Sequence, residues 1–299
     1  MRASIDRLPL AVRRMTPGDV AQAQRLSAAI GWPHRLEDWR FVLRVGMGFV
    51  AERDSALVGT AMGWTFGAAQ ATLGMVIVAP KQRRQGIGRA LVGRVLDELG
   101  QREITLYASQ ATRAMFEANG FEACGLLDQH LGAAFRPPLI ALPVGERLRP
   151  LGARDAAPLA ALASRARGLD RSQVLPALLA HADGIGLDRD GELLGFSLFR
   201  RFGRGFLLGP VIAADAPDAA RARALIRHWL ALHESALVRI DVPRSSDLGG
   251  WLTGLGLARS ETAVKMTRPG HAAMSQPHAN TDTDAGAPRQ FAVITQSFT

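Results

Sequence analysis

Val76-Ile77-Val78-Ala79-Pro80-Lys81-Gln82-Arg83-Arg84-Gln85-Gly86-Ile87-Gly88-Arg89-Ala90-Leu91 is the stretch whose reading decides this chain. Its β-branched run predicts a strand that ends at Pro80, because proline has no N–H to give to a ladder. A basic turn with two glycines follows. Then Leu91, Val95 and Leu99 fall on one helical face with Val92 and Leu96 beside it, which predicts a helix over 88–99. The first N–H groups of a helix have no partner within it, and the helix dipole makes that end positive, so a strand–turn–helix of this kind can hold an anion. Gly86 and Gly88 let a phosphate come close to the backbone, and Arg83, Arg84 and Arg89 add charge. Two familiar phosphate loops are excluded by spacing. No Gly-Lys-Ser/Thr ends the turn, and Leu91 stands where the third glycine of a dinucleotide fingerprint would be.

Outward from this stretch the chain reads as two similar halves. Strands are predicted at 49–52 and 57–64 around Arg53-Asp54-Ser55, then at 72–78 and 104–108. A short helix over 112–119 is stopped by Gly120. The opening Val12-Arg13-Arg14-Met15-Thr16-Pro17-Gly18-Asp19 returns as Leu148-Arg149-Pro150-Leu151-Gly152-Ala153-Arg154-Asp155, each a short strand, a turn and an Asp-opened helix. The second half continues with strands at 185–188, 193–200 and 206–212, a helix over 219–232, a strand at 239–242, a short helix over 248–255 and a strand at 262–267. It lacks the basic loop. Ala213-Ala214-Asp215-Ala216-Pro217-Asp218 offers carboxylates that satisfy the helix dipole themselves and repel a pyrophosphate, so no cofactor is expected there. The expected domains are 1–143, 144–268 and a tail, 269–299, that is partly disordered. Within the tail, 269–290 is polar, and 291–298 turns apolar and either docks or frays.

Hydrophobic residues make up 47% of the 299 and charged residues 21%, enough apolar content for real cores. No apolar run reaches membrane-spanning length, no signal-peptide pattern opens the chain, and one cysteine permits no internal disulfide, so a cytoplasmic protein without a membrane partner is expected. The formal charge of +9 suits a polyanion or a phosphorylated cofactor. The arginines are dispersed, and Lys81 and Lys265 are the only lysines, so an arginine-rich surface explains the charge equally well. A nucleic-acid partner is not expected, since neither a base-reading basic helix nor an aromatic stacking platform is present.

The pattern R-x-x-G-x-G over Arg83–Gly88, after Val76-x-Val78-x-Pro80, resembles the acetyl-CoA pyrophosphate loop of the GNAT superfamily. The later strand, short helix and Gly120-Phe121 pair resemble that family too, so the likeness covers about Leu10 to Leu131. The segment Gly31-Trp32-Pro33-His34-Arg35-Leu36-Glu37-Asp38-Trp39 is similar to the opening of two-domain members. The resemblance implies an α/β (α+β) chain of two GNAT-like domains, each a mixed, mostly antiparallel sheet flanked by helices, the second degenerate. It implies acetyl-CoA as co-substrate, no metal, and acetyl transfer to a primary amine by direct attack. Val76, Ile77 and Val78 would bind the pantetheine arm, with an N–H near Val78 for the oxyanion. Arg83, Arg84, Gln85, Gly86, Ile87, Gly88 and Arg89 would hold the pyrophosphate, and Ser109 stands where the family often has an asparagine that touches the cofactor.

The catalytic residues are less determined. The strand 72–78 carries no carboxylate, so His34 is the candidate base and Glu52 a weaker one. Trp32, Asp38 and Trp39 would line an acceptor pocket, against the rival reading that the tryptophans only pack. Phe116 stands where the family often has a proton-donating tyrosine. The one tyrosine, Tyr107, is then the candidate acid, unless water protonates the thiolate or the thiolate leaves unaided. Cys124 reads as a strand residue. A small-molecule or protein amine is the expected partner, in a monomer or homodimer; the alternative is a non-catalytic acyl-CoA sensor.

Overall fold

The computed structural model describes residues 10–135, 137–138, 142–167, 169–270 and 286–296. Two compact units divide it, Met1–Thr65 with Leu73–Gly100, and Phe66–Thr72 with Gln101–Thr299. Among the described residues no helix is long and apolar enough to cross a membrane.

The first unit runs β1 (Ala11–Arg14), α1 (Val20–Ala29), α2 (Leu36–Arg44), β2 (Met47–Arg53), β3 (Ala56–Phe66), β4 (Gln70–Val78) and α3 (Ile87–Leu99), with the strands in the order β1-β2-β3-β4. β1 and β2 pair antiparallel, as do β2 and β3. The turn between the latter two sets Asp54 and Ser55 at φ 52° and 59°, the left-handed pair that matches the twist of a two-residue hairpin. α3 begins one residue earlier than its periodicity predicts and buries the predicted face: Leu91, Val92, Val95 and Leu99 are fully enclosed. Each such side chain contributes on the order of 2 kcal/mol by leaving water. Trp64 joins this core and donates its indole N–H to the Val42 carbonyl at 2.9 Å, so α2 is tied to β3.

The second unit opens with Phe66–Thr72, which hold the last residue of β3 and the first three of β4. Gln70–Thr72 pair in parallel with Glu103–Thr105 of β5 (Glu103–Ala108). It continues with α4 (Arg113–Glu117), β6 (Glu122–Ala133), β7 (Glu146–Pro150), α5 (Ala156–Arg167), α6 (Val174–Leu179), β8 (Asp183–Arg189), β9 (Glu192–Phe202) and β10 (Gly205–Ala214). Then come α7 (Ala220–Leu232), β11 (Leu237–Pro243), α8 (Gly249–Gly254), β12 (Ala258–Arg268) and β13 (Pro288–Ala292). The strand order is β5-β12-β6-β11-β10-β9-β8-β7, with β13 on β10. Leu225, Trp229 and Leu230 of α7 and Phe199, Leu208 and Ile240 of the sheet share one core.

The sheet is mixed and mostly antiparallel, as expected, but the closing strands are exchanged. β12, from the second half, pairs with β5, while β6, from the first half, pairs with β11. β6 and β12 pair with each other between them. Asp128 of β6 ties the exchange together. It accepts from Arg244 Nε at 2.9 Å and Nη2 at 2.7 Å and from Thr262 Oγ1 of β12 at 2.6 Å. The boundary expected at 143/144 falls in the chain between β6 and β7, whereas the compact units part after Thr65 in β3, within β4 and after Gly100.

The tail differs from its expectation in part. Residues 271–285 of the polar stretch lie outside the described residues, but Pro288–Gln290, read from sequence as linker, belong to β13. Phe291, Ala292, Val293 and Ile294 are fully buried, so the apolar end docks. Burial of these side chains outweighs the entropy of ordering a short polar lead-in.

Candidate functional site

In the first unit the strand, turn and helix read from sequence form a single structural motif. Ala79 donates its N–H to the Val58 carbonyl of β3 at 2.8 Å, which fixes where β4 ends. Pro80–Gln82 make one 3-10 turn, and Arg83 returns to extended backbone with Nε donating to the Val78 carbonyl at 3.2 Å. Arg84 then takes φ 60° and Gly86 φ 78°. The left-handed region costs a non-glycine residue roughly 1–2 kcal/mol, so Arg84 holds local strain of a kind that clusters at functional loops.

Gly86 is the N-cap of α3, and no side chain caps this end. The first bond of the helix runs from Ala90 N to Gly86 O at 3.0 Å, which leaves the N–H groups of Ile87, Gly88 and Arg89 outside the helical ladder. A Cβ on Gly86 would meet nothing within 4 Å, so the space before the helix is open. Arg83, Arg84 and Arg89 are exposed. Among the described residues none of them pairs with a carboxylate. Other arginines do: Arg13 with Asp19 at 2.8 Å, Arg14 with Glu98 at 3.0 Å and Arg35 with Asp38 at 3.1 Å. An uncapped, glycine-opened helix end with unneutralised arginines fits a phosphorylated ligand.

A brace that the sequence did not reveal comes from β2. The Arg53 guanidinium donates through Nη1 to the side-chain oxygens of Gln82 and Gln85, the latter at 3.0 Å. Gln85, expected at the pyrophosphate, therefore also positions the loop. Thr60 Oγ1 donates to the Met75 carbonyl at 2.7 Å, at a point where Met75 itself has φ 51° and the strand is irregular. Past that point Val76 and Val78 stay half-buried while Ile77 points into the core.

The candidate acceptor and base residues separate. Asp38 is buried and accepts from Arg35 N at 2.8 Å, Nε at 3.1 Å and Nη2 at 3.1 Å, as the N3 member of a capping box on α2. Trp39 is fully buried and donates to Ser27 Oγ at 3.0 Å. Both are structural in this arrangement. Trp32 is exposed, and the His34 ring lies between it and Trp39, with centroids 5.5 and 6.5 Å away. Glu52 forms an ion pair with Arg13 at 2.9 Å.

In the second unit Tyr107 is half-buried on β5, opposite Lys265 of β12. Ser109 Oγ lies 3.0 Å from Thr112 Oγ1, and its carbonyl accepts from Thr112 N and Arg113 N at 3.0 and 3.1 Å, so it opens α4. Phe116 is buried edge-on against Phe121, with centroids 5.8 Å apart. Cys124 is exposed, with Sγ 3.2 Å from Thr267 Oγ1.

Family models described as acetyltransferase (GNAT) domains match residues 45–123 and 159–280, together more than half of the chain. An uncharacterized N-acetyltransferase, YitH of Bacillus subtilis (strain 168), is 26% identical over 223 residues, spanning 73% of this chain and 77% of its own. The crystal structure of a putative acetyltransferase from Pyrococcus horikoshii superposes with a TM-score of 0.76 at 18% identity, covering all of both chains. A tandem GNAT protein from the clavulanic acid biosynthesis pathway superposes at 0.64 and 18% identity, over 87% of this chain and 98% of its own. Two domain matches in one chain, on a fold shared with a tandem relative, make this protein an acetyltransferase of the GNAT superfamily, of the tandem type.

Proposed function

We propose that the chain is an acetyl-CoA-dependent N-acetyltransferase with one cofactor loop, in the first unit, acting on a primary amine. The open N-terminus of α3 carries this reading, with Gly86 at φ 78° and, among the described residues, no side-chain cap and three arginines without carboxylate partners around it. Acetyl-CoA supplies the acetyl thioester, whose C–S bond breaks as the amine nitrogen forms its bond to the carbonyl carbon. The N–H groups of Ile87, Gly88 and Arg89 and the side chains of Arg83, Arg84 and Arg89 bind the pyrophosphate. The backbone of Val76–Val78 takes the pantetheine arm as an added strand, and an N–H near Val78 faces the charge that develops on the thioester oxygen.

His34 takes a proton from the acceptor ammonium, which frees the nitrogen lone pair to attack. It is the one histidine of the first unit and is half-buried beside an exposed tryptophan, whereas Glu52 is held by Arg13 and Asp38 by Arg35. The departing sulfur leaves as the thiolate or takes its proton from water. Holding the two reactants together does most of the remaining work. The acceptor is a small-molecule or protein amine.

Calorimetric titration of acetyl-CoA into the wild type and into Gly86→Glu/Gly88→Glu tests the loop. One site per chain in the wild type and none in the double variant supports it; equal binding by both refutes it. Turnover with a panel of amines then separates an enzyme from a cofactor-binding sensor.

A further inference from the structure

The second half has its own version of the cofactor strand, and something is already bound to it. β10 pairs in parallel with β11 over only three residues, Phe206–Leu208 with Val238–Ile240, as β4 does with β5 over Gln70–Thr72. Past Leu208 the register with β9 shifts and resumes at Val211. With β9 on one side, the other side of Val211–Ala214 is taken by β13, antiparallel, from Val211↔Ala292 to Ala214↔Pro288. β13 also reaches β11, since Val293 N donates to the Asp241 carbonyl at 3.0 Å. The tail is thus wedged between β10 and β11 where their ladder has ended.

The fit is specific at both ends. Asp215 N donates to the Ala287 carbonyl at 2.9 Å. Arg289 pairs with the Asp215 carboxylate at 3.2 Å and reaches the Ser245 carbonyl at 3.4 Å. The carboxylate expected to face the helix dipole therefore holds the tail. In the interior, fully buried Arg171 donates to Gln290 Oε1 at 2.9 Å, and Gln290 Nε2 donates to the Ala292 carbonyl at 3.1 Å. Gly209 is required here, because a Cβ on it would overlap the Val293 carbonyl oxygen.

We propose that segment 287–295 is a resident strand-adding ligand of the second half. It fills in cis the edge of β10 that corresponds to the Val76–Val78 edge of β4, and so closes this half to an extended ligand such as a pantetheine arm. The correspondence with a pantetheine site rests on the proposed function; the docking of the tail does not. Extended peptide is the chemistry the slot takes: main-chain bonds give the pairing, and buried apolar side chains with one Gln–Arg contact give the selectivity.

Amide hydrogen exchange on the full chain, without cofactor, reads the docking directly. The amides of Asp215 and Val293 should exchange as slowly as those of the β9–β10 ladder. In a chain ending at Gly286 the Asp215 amide should exchange at least ~100-fold faster, and a synthetic peptide of residues 286–299 should bind one to one and restore its protection. In the full-length variant Val293→Asp the same acceleration should be confined to 287–295 and the facing β10 and β11 residues. Unchanged protection in Val293→Asp, or a truncated chain that keeps Asp215 protected and ignores the peptide, overturns the proposal. Protection that appears only at concentrations where the chain dimerises overturns docking in cis. If acetyl-CoA binds nowhere while these exchange results hold, the cofactor reading fails and the tail ligand stands.

Discussion

Arg53 Nη1 lies 3.0 Å from Gln85 Oε1, so a residue at the end of β2 holds a loop that follows β4. The same nitrogen reaches the Gln82 side chain, and the two glutamines flank Arg83 and Arg84. The loop is therefore fixed before any anion arrives, which lowers the cost of binding one.

Removing that brace should weaken cofactor binding without touching the helix end itself. Arg53→Ala deletes two charge-assisted hydrogen bonds, each worth about 1.5–3 kcal/mol at most and less at a partly exposed site. We expect a 5- to 30-fold rise in KM for acetyl-CoA, roughly 1–2 kcal/mol, with kcat within twofold of wild type. A kcat loss with unchanged KM would argue against a positioning role.

Gly86 is needed for its backbone and for the space before it. Gly86→Ala should cost about 1 kcal/mol of stability through the left-handed φ and little binding, since its methyl enters open space. Gly86→Glu should cost a similar amount of stability and yet abolish cofactor binding, because a carboxylate occupies the anion site. Thermal unfolding and calorimetry on the two variants separate backbone strain from charge.

His34 makes a prediction that separates catalysis from packing. His34→Gln should remove the low-pH limb of the kcat/KM profile and lower kcat/KM by roughly 10²-fold, the usual range for a lost general base. An unchanged pH profile in His34→Gln would return this residue to packing between Trp32 and Trp39.

Asp19 links the first unit's stability to acid. Its hydrogen bonds from Arg13, at 2.8 Å each, are the main reason its carboxyl is lowered to about 2, with further bonds from Thr16 N and Oγ1. A folded-state value below the unfolded one means a contribution present above the ordinary carboxylate range and lost as pH falls from about 4 toward 2. Arg13 is 44% exposed, so screening reduces this contribution to about 1 kcal/mol at neutral pH. Asp19→Asn should lower Tm at pH 7 and leave it nearly unchanged at pH 2, by calorimetric scans at the two values.

Asp128 should matter more to the strand exchange than its single charge suggests. The Arg244 guanidinium holds its carboxyl below the usual range, and Thr262 adds to the effect. Asp128→Ala leaves Arg244 and Thr262 without their shared acceptor and should destabilise the second unit by about 1–3 kcal/mol. Arg244 is 46% exposed, which keeps the value at the lower end. Urea unfolding followed at Trp229 and Trp251 measures it.

Local chemistry made the strand–turn–helix with its basic glycine turn and the repeat legible. A β-branched run, a proline, two glycines and a 3.6-residue apolar period specify strand, turn and helix through contacts a few residues apart, and α3 was found within one residue of its true start. The turn's arginines and glycines are legible for the same reason, since the open helix end they surround is built from consecutive residues. The doubled Arg–Asp openings gave the repeat, and the structure pairs them alike, Arg13 with Asp19 and Arg149 with Asp155.

What the sequence left open depends on partners far apart in the chain. Trp39 carries the residue type of an acceptor pocket, and only its bond to Ser27 of α1 marks it as structural, whereas Asp38 closes a local capping box with Arg35. Arg53 has no local sign that distinguishes it from other surface arginines. The exchange of β6 and β12 is equally silent, because a strand's alternation says which face it buries and not which edge it joins. Pro288–Gln290 read as linker because their hydrogen bonds go to β10, more than seventy residues earlier. Short-range periodicity thus determined the elements and the basic glycine turn, whereas long-range hydrogen bonding and burial decided which strands are neighbours and which cleft the chain fills itself.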